Sequence, residues 1–137
     1  ALREFRALGT RVFGVSADSE HAHLAWRKEN PDLRNLEFPM LADDRKAVAG
    51  ELGILDPVEQ VPLRATYLLD QERKIRWLCI NDLSVGRNTG EVLRVLAGCQ
   101  CGELCPANWK PGQATIMRPR AAGKNAPWET KERPALR

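Results

Sequence analysis

Apolar residues fall along this chain in short blocks whose spacing changes several times between helical and extended. Leu2, Phe5 and Leu8 recur at helical spacing and Gly9 follows, which predicts the end of an amphipathic helix over 1–8 with a glycine cap. The Val/Phe-rich run 11–17, bounded by turn formers, predicts a buried strand. Asp18 or Ser19 then offers a capping oxygen for a helix to about residue 29, with Leu24 and Trp26 facing the core and Pro31 as the stop. A brief strand is expected at 40–42 and a helix after Asp43 and Asp44, with Val48 and Leu52 on one face and Gly53 closing it. Beyond a loop at 54–63, punctuated by Pro57 and Pro62, two apolar runs at 66–69 and 75–80 flank Asp70-Gln71-Glu72-Arg73 and predict an antiparallel hairpin. Thr89 is expected to cap a last helix whose buried stripe is Val92, Leu93, Val95 and Leu96.

The order β, α, β, α, β-β, α predicts an α/β fold, specifically a thioredoxin-like sandwich. Ile75, Trp77 and Cys79 share one face of the second hairpin strand, while Leu78 and Ile80 share the other with Arg76. Apolar character on both faces suggests that this strand is covered or paired across a dimer.

Composition adds bounds. A chain of 137 residues, 43% hydrophobic, suits one globular domain, and no apolar run reaches the length of a membrane span. Charge is uneven: residues 1–105 hold 14 Lys+Arg against 16 Asp+Glu, and residues 106–137 hold 7 against 2. The basic tail interleaves Pro119, Gly123, Pro127 and Pro134 and is read as a solvated, disordered terminus, so neither nucleic acid nor membrane is expected as a partner. Three of the four cysteines, Cys99, Cys101 and Cys105, crowd into seven residues, which suits intracellular thiol chemistry better than a disulfide-stapled secreted fold. Their C-x-C-x-x-x-C spacing is not a common zinc pattern, even with His21 and His23 as added donors, and no metal or cofactor is expected. Cys99 and Cys101 could relay a disulfide or substitute for Cys105, and Cys79 reads as a packed small hydrophobe.

Cys105 sits in Cys105-Pro106-Ala107-Asn108-Trp109-Lys110-Pro111-Gly112. Pro106 restricts Cys105 to extended conformations and Pro111-Gly112 stops any helix, so the thiol is carried on a stiff, non-helical arm. The plain alternative is a surface tail that happens to hold a thiol.

This stretch resembles the resolving-cysteine arm of the typical two-cysteine peroxiredoxins, the alkyl hydroperoxide reductase and thiol-specific antioxidant family. Arg11-Val12-Phe13-Gly14-Val15-Ser16-Ala17-Asp18-Ser19, His23-Leu24-Ala25-Trp26, Phe38-Pro39-Met40-Leu41-Ala42-Asp43, Arg64-Ala65-Thr66-Tyr67-Leu68-Leu69-Asp70 and Asn81-Asp82-Leu83-Ser84-Val85-Gly86-Arg87 are similar to family segments in the same order. The resemblance covers about residues 1–117. It implies a thiol-dependent peroxidase that reduces hydrogen peroxide and organic hydroperoxides through a cysteine sulfenate and an intersubunit disulfide. It further implies Cys105 as the resolving thiol, Arg64 beside the peroxidatic sulfur and Arg87 as a second active-site arginine. The implied partners are a peroxide, an external dithiol reductant such as thioredoxin or a dedicated reductase, and a second copy of the chain in a homodimer through 74–80, extended to a ring of dimers. The implied compartment is the cytoplasm.

The family's Pro-x-x-x-Thr-x-x-Cys motif is absent, so the chain reads as the C-terminal portion of such an enzyme and is expected to be inactive alone. The expected organisation is a truncated thioredoxin-like domain at 1–98, a resolving arm at 99–117 and a basic tail at 118–137. In the family a central strand lies between those equivalent to 11–17 and 64–70. Without it, two rows of backbone groups lose their partners, so the chain is expected to re-pair across the gap or to be poorly stable. The absence of Gly-Gly-Leu-Gly near 30–38 and of a Tyr-Phe pair in the tail suggests a bacterial-type, peroxide-robust relative. The rival to the enzyme reading is a non-catalytic thioredoxin-like, redox-sensitive interaction module. A metal-binding module ranks third.

Overall fold

The structure, a computed structural model, describes residues 1–117 and 129–131. It is a mixed α/β protein in which the expected element order holds. Helix α1 (Leu2–Ala7) leads to strand β1 (Gly14–Ser16), helices α2 (Glu20–Glu29) and α3 (Pro31–Arg34), strand β2 (Met40–Ala42) and helix α4 (Ala47–Glu51). Strands β3 (Arg64–Leu69) and β4 (Ile75–Asn81), helix α5 (Thr89–Cys101), and strands β5 (Thr115–Met117) and β6 (Glu129–Lys131) complete it. Two compact units result, Ala1–Arg87 and Asn88–Arg137. Of the tail expected at 118–137, only Glu129–Lys131 lies within the described residues, paired antiparallel to Thr115–Met117.

In the first unit β1 pairs parallel with β2, Val15 opposite Leu41. Strand β3 pairs antiparallel with β4, Thr66 opposite Cys79 and Leu68 opposite Trp77. Asp70 shapes the hairpin turn: its carboxylate accepts from the Lys74 amide at 2.9 Å, and Arg73 takes the left-handed conformation at φ 64°. Among the described residues no ladder joins the β1–β2 pair to the β3–β4 pair, so re-pairing across the gap is not what this chain does. Buried apolar side chains in this unit are few: Phe5, Ala49 and Ile54. Phe13 and Leu41, by contrast, remain about half exposed (49% and 47%), so apolar surface flanking the β1–β2 pair is left open.

Helix α2 departs from the expected facing. Leu24 and Trp26 are 52% and 43% exposed, and the buried residue is His23. The inward side of this helix is polar: His23 Nε2 lies 2.6 Å from Ser16 Oγ while His23 Nδ1 is buried without a hydrogen-bond partner, and the Arg27 guanidinium, one turn on, donates to the Leu36 carbonyl at 2.6 Å. Hydrogen bonds to β1 and to the following loop, not apolar burial, thus set the helix rotation. Pro31 also does more than stop α2. It occupies the first turn of α3, where a missing amide costs nothing, with the Asn30 side chain accepting from Asp32 N at 2.9 Å. The cap of α5 is Asn88, whose side chain accepts from Glu91 N at 3.1 Å, and Thr89 is the first helical residue.

Asp43 caps α4 from a distance. Its two oxygens accept from the amides of Val48 (3.1 Å) and Ala49 (2.9 Å) while the residue itself is buried. Asp43→Ala leaves both amides unpaired and is expected to destabilise the chain by about 1–2 kcal/mol. Asp43→Asn, which keeps one acceptor, is expected to cost less; urea unfolding midpoints of the two variants give the comparison.

Candidate functional site

Two groups of side chains carry chemistry, one in each unit. In the first, the loop after β4 folds back along the start of β3. Arg64 Nε donates to the Leu83 carbonyl at 3.2 Å, Asn81 Nδ2 to the Gly86 carbonyl at 2.9 Å, and Arg87 Nε to the Ala65 carbonyl at 3.1 Å. These three bonds lash Asp82-Leu83-Ser84-Val85-Gly86-Arg87 to the hairpin, so the two expected arginines are held at the same end of the β3–β4 pair. Each uses Nε for the backbone, which leaves the terminal nitrogens of an always-charged fork to meet an anion. Neither guanidinium makes an ion pair among the described residues. Arg64 sits opposite Asn81 in the register, so its face of the hairpin also carries Cys79. Cys79 is more than an apolar filler there: its thiol donates to Asn81 Oδ1 at 3.2 Å.

The second group is built on α5. The helix ends at Cys101, and Gly102 takes the left-handed conformation (φ 70°) that a helix C-terminus favours. The chain then turns back: Leu104 pairs with Ile116, whose amide donates to the Leu104 carbonyl at 2.8 Å, and the Thr115 hydroxyl, fully buried, donates to the Glu103 carboxylate. Between these ends the arm is pinned by Trp109, 5% exposed, whose indole N–H donates to the Gln113 carbonyl at 3.1 Å. Gly98 lies beneath this packing, where a Cβ would meet Cys105 Sγ at 3.6 Å and the Trp109 ring at 3.8 Å, ordinary contact distances. Arg94 fastens the arm to the helix. It grips Glu91 through two nitrogens at 2.7 and 2.8 Å and donates a third bond to the Trp109 carbonyl at 3.3 Å. That bond to Arg94 holds the Glu91 carboxyl below the usual carboxylate range.

Cys105 is thus half-buried against α5, with its sulfur 3.4 Å from that of Cys101. Burial, reinforced by the Cys101 thiol, pushes the Cys105 thiol up to about 11, with the Arg94 charge opposing weakly. The thiol is protonated and quiet in this arrangement. Cys101 also donates to the Gly98 carbonyl at 3.1 Å, and Cys99 is exposed. Among the described residues no three His, Cys, Asp or Glu side chains converge as metal ligands. No described helix is long and apolar enough to cross a membrane.

Arg94, Glu91, Gly98 and the Cys101 contact were not singled out from sequence. A signal existed for the first pair, because Glu and Arg three apart on a helix are neighbours. The Gly98–Cys105 packing had none, since it depends on the path of the chain after Gly102.

A thioredoxin-like α/β protein carrying a paired-thiol arm and two oriented arginines defines the class. Residues 1–78 match the model of the AhpC/TSA family, and residues 100–132 match that of the C-terminal domain of 1-Cys peroxiredoxin. The chain is 41% identical over 122 residues to peroxiredoxin 2 of Drosophila melanogaster, covering 83% of this chain and 62% of that protein. It is 40% identical over 113 residues to alkyl hydroperoxide reductase C of Mycolicibacterium smegmatis, covering 82% and 57%. The reduced 2-Cys peroxiredoxin of Plasmodium vivax superposes with a TM-score of 0.80 at 32% identity, over 85% of this chain and 63% of that one. The chain belongs to the AhpC/TSA family and is a peroxiredoxin family member. It spans less than two thirds of the length of these relatives.

Proposed function

We propose that this chain carries the resolving half of a thiol-dependent peroxidase acting on hydrogen peroxide and organic hydroperoxides. The observation that supports it most directly is the position of Cys105. It lies past the left-handed break at Gly102, on an arm pinned through Trp109, in a chain of this family. In the reaction a peroxidatic thiolate attacks the O–O bond and becomes a sulfenic acid while water or an alcohol leaves. Cys105, once the arm lifts from α5, attacks the sulfenic sulfur. The S–S bond forms and the sulfenic oxygen departs as water, carrying the Cys105 proton. An external dithiol restores both thiols by exchange. Arg64 and Arg87 supply the positive charge that favours the peroxidatic thiolate and orients the peroxide. Ile75, Leu78 and Ile80, each 42–49% exposed on β4, suit a homodimer through that strand. Free thiols at all four cysteines suit a reducing compartment such as the cytoplasm.

The test uses the full-length enzyme containing this sequence. Cys105→Ser is expected to abolish the peroxide-induced intersubunit disulfide on non-reducing gels and to stop dithiol-dependent turnover after the first sulfenic acid forms. Arg64→Met is expected to slow the peroxide step about 100-fold, since it removes a donor aimed at developing negative charge. Wild-type disulfide formation in the Cys105→Ser protein would reject the assignment.

A further inference from the structure

Cys101 closes α5, and Cys105 returns to it across the turn at Gly102. Their sulfurs are in contact at 3.4 Å, both as free thiols. A disulfide needs a separation of about 2.05 Å, so a closure of about 1.4 Å by two side chains, one on a helix end and one on a loop, would join them. On the helix side the Cys105 sulfur lies against Gly98. Cys99 lies two positions earlier on the helix, round on the other side, and is exposed. The pair is therefore set apart from the third thiol of the cluster.

We infer that Cys101 and Cys105 form an intrachain disulfide, so that a disulfide arriving on Cys105 is passed to Cys101. The step is an exchange. In a mixed disulfide of Cys105 with an external thiol, the Cys101 thiolate attacks the Cys105 sulfur. The Cys101–Cys105 bond forms, the bond to the external sulfur breaks, and that sulfur leaves with the electron pair and takes up the proton Cys101 has released. The oxidant is the incoming disulfide, of a small molecule or a protein, and nothing further is consumed. The inference stands on the sulfur geometry and goes beyond the proposed peroxidase role. On that role the leaving sulfur is the peroxidatic one, which would be freed before any reductant acts and leave the arm disulfide as the reductant's target.

The probe is oxidised glutathione added to the reduced 137-residue chain, followed by non-reducing digestion after Glu103 and mass mapping. Cleavage there separates the two cysteines unless they are bonded. The expected product is a pair of peptides joined through Cys101 and Cys105, lighter by two hydrogens, with little glutathione retained. Cys101→Ser is expected to accumulate about tenfold more Cys105–glutathione adduct than wild type, because the intramolecular attack is gone. Cys99→Ser is expected to behave as wild type, which also identifies the bonded sulfur in the upstream peptide. A lasting Cys105–glutathione adduct in the wild-type chain, or a bond from Cys105 to Cys99, overturns the inference. If the chain fails this test while the full-length enzyme still forms its Cys105 intersubunit disulfide, the exchange is wrong and the resolving role survives. The reverse outcome rejects the resolving role and keeps the pair.

Discussion

Given hydrogen peroxide and a dithiol reductant, the chain is expected to consume reductant no faster than the two reagents do without it. Attack on an O–O bond needs a thiolate, and the Cys105 thiol of the arm supplies almost none. Cys105, raised to about 11, is thiolate to about one part in ten thousand at pH 7. Cys79, on the face that also carries Arg64, is a donor to Asn81 Oδ1. Cys101 is turned to the Gly98 carbonyl. Peroxidase turnover that disappears in Cys105→Ser or Cys79→Ser would refute this. A pH series gives a second readout. Alkylation of Cys105 is expected to accelerate about tenfold per pH unit up to about 11. Because the folded thiol holds its proton more tightly than an unfolded one near 8.5, its contribution to stability is complete below about pH 8.5. That contribution is lost as pH rises through about 11.

Much of this arrangement was legible in the chain, and the reasons divide by the kind of force involved. Period and punctuation located the elements, because Gly9 and Gly53 both take the positive φ that closes a helix or turn. The 66–69 and 75–80 runs could be paired from the loop length alone, and they do pair. Facing was harder. Leu24 and Trp26 looked like anchors because apolar residues are presumed inward, yet His23 and Arg27 hold that side through hydrogen bonds no spacing rule foresees. The cap of α5 shifted by one residue, from Thr89 to Asn88, since either side chain can accept from the first-turn amides. At the site, the resemblance singled out Arg64 and Arg87, and the hairpin brings both to one end. The contact between Cys101 and Cys105 depends on a chain reversal, and sequence distance does not encode where a reversed arm comes to rest.

Trp109→Ala is expected to produce the largest change in Cys105. The indole is the only buried apolar side chain of the described arm, and its removal from a packed site costs about 3–5 kcal/mol. That is a large share of the 5–15 kcal/mol typical of a whole domain, so the arm should detach from α5 well before the helix melts. Detachment removes the burial that chiefly raises the Cys105 thiol. A return from about 11 toward the ordinary thiol range multiplies the thiolate at pH 7 by about 100-fold. Iodoacetamide labelling followed by mass mapping should show that increase at Cys105 and almost none at Cys99, which is exposed already. Trp109→Phe keeps most of the burial and loses only the bond to the Gln113 carbonyl, so about 1 kcal/mol and a small rise in labelling are expected. If Trp109→Ala leaves Cys105 as slow as in wild type, the tryptophan does not govern the thiol, and the lifting of the arm invoked for resolution loses its physical basis.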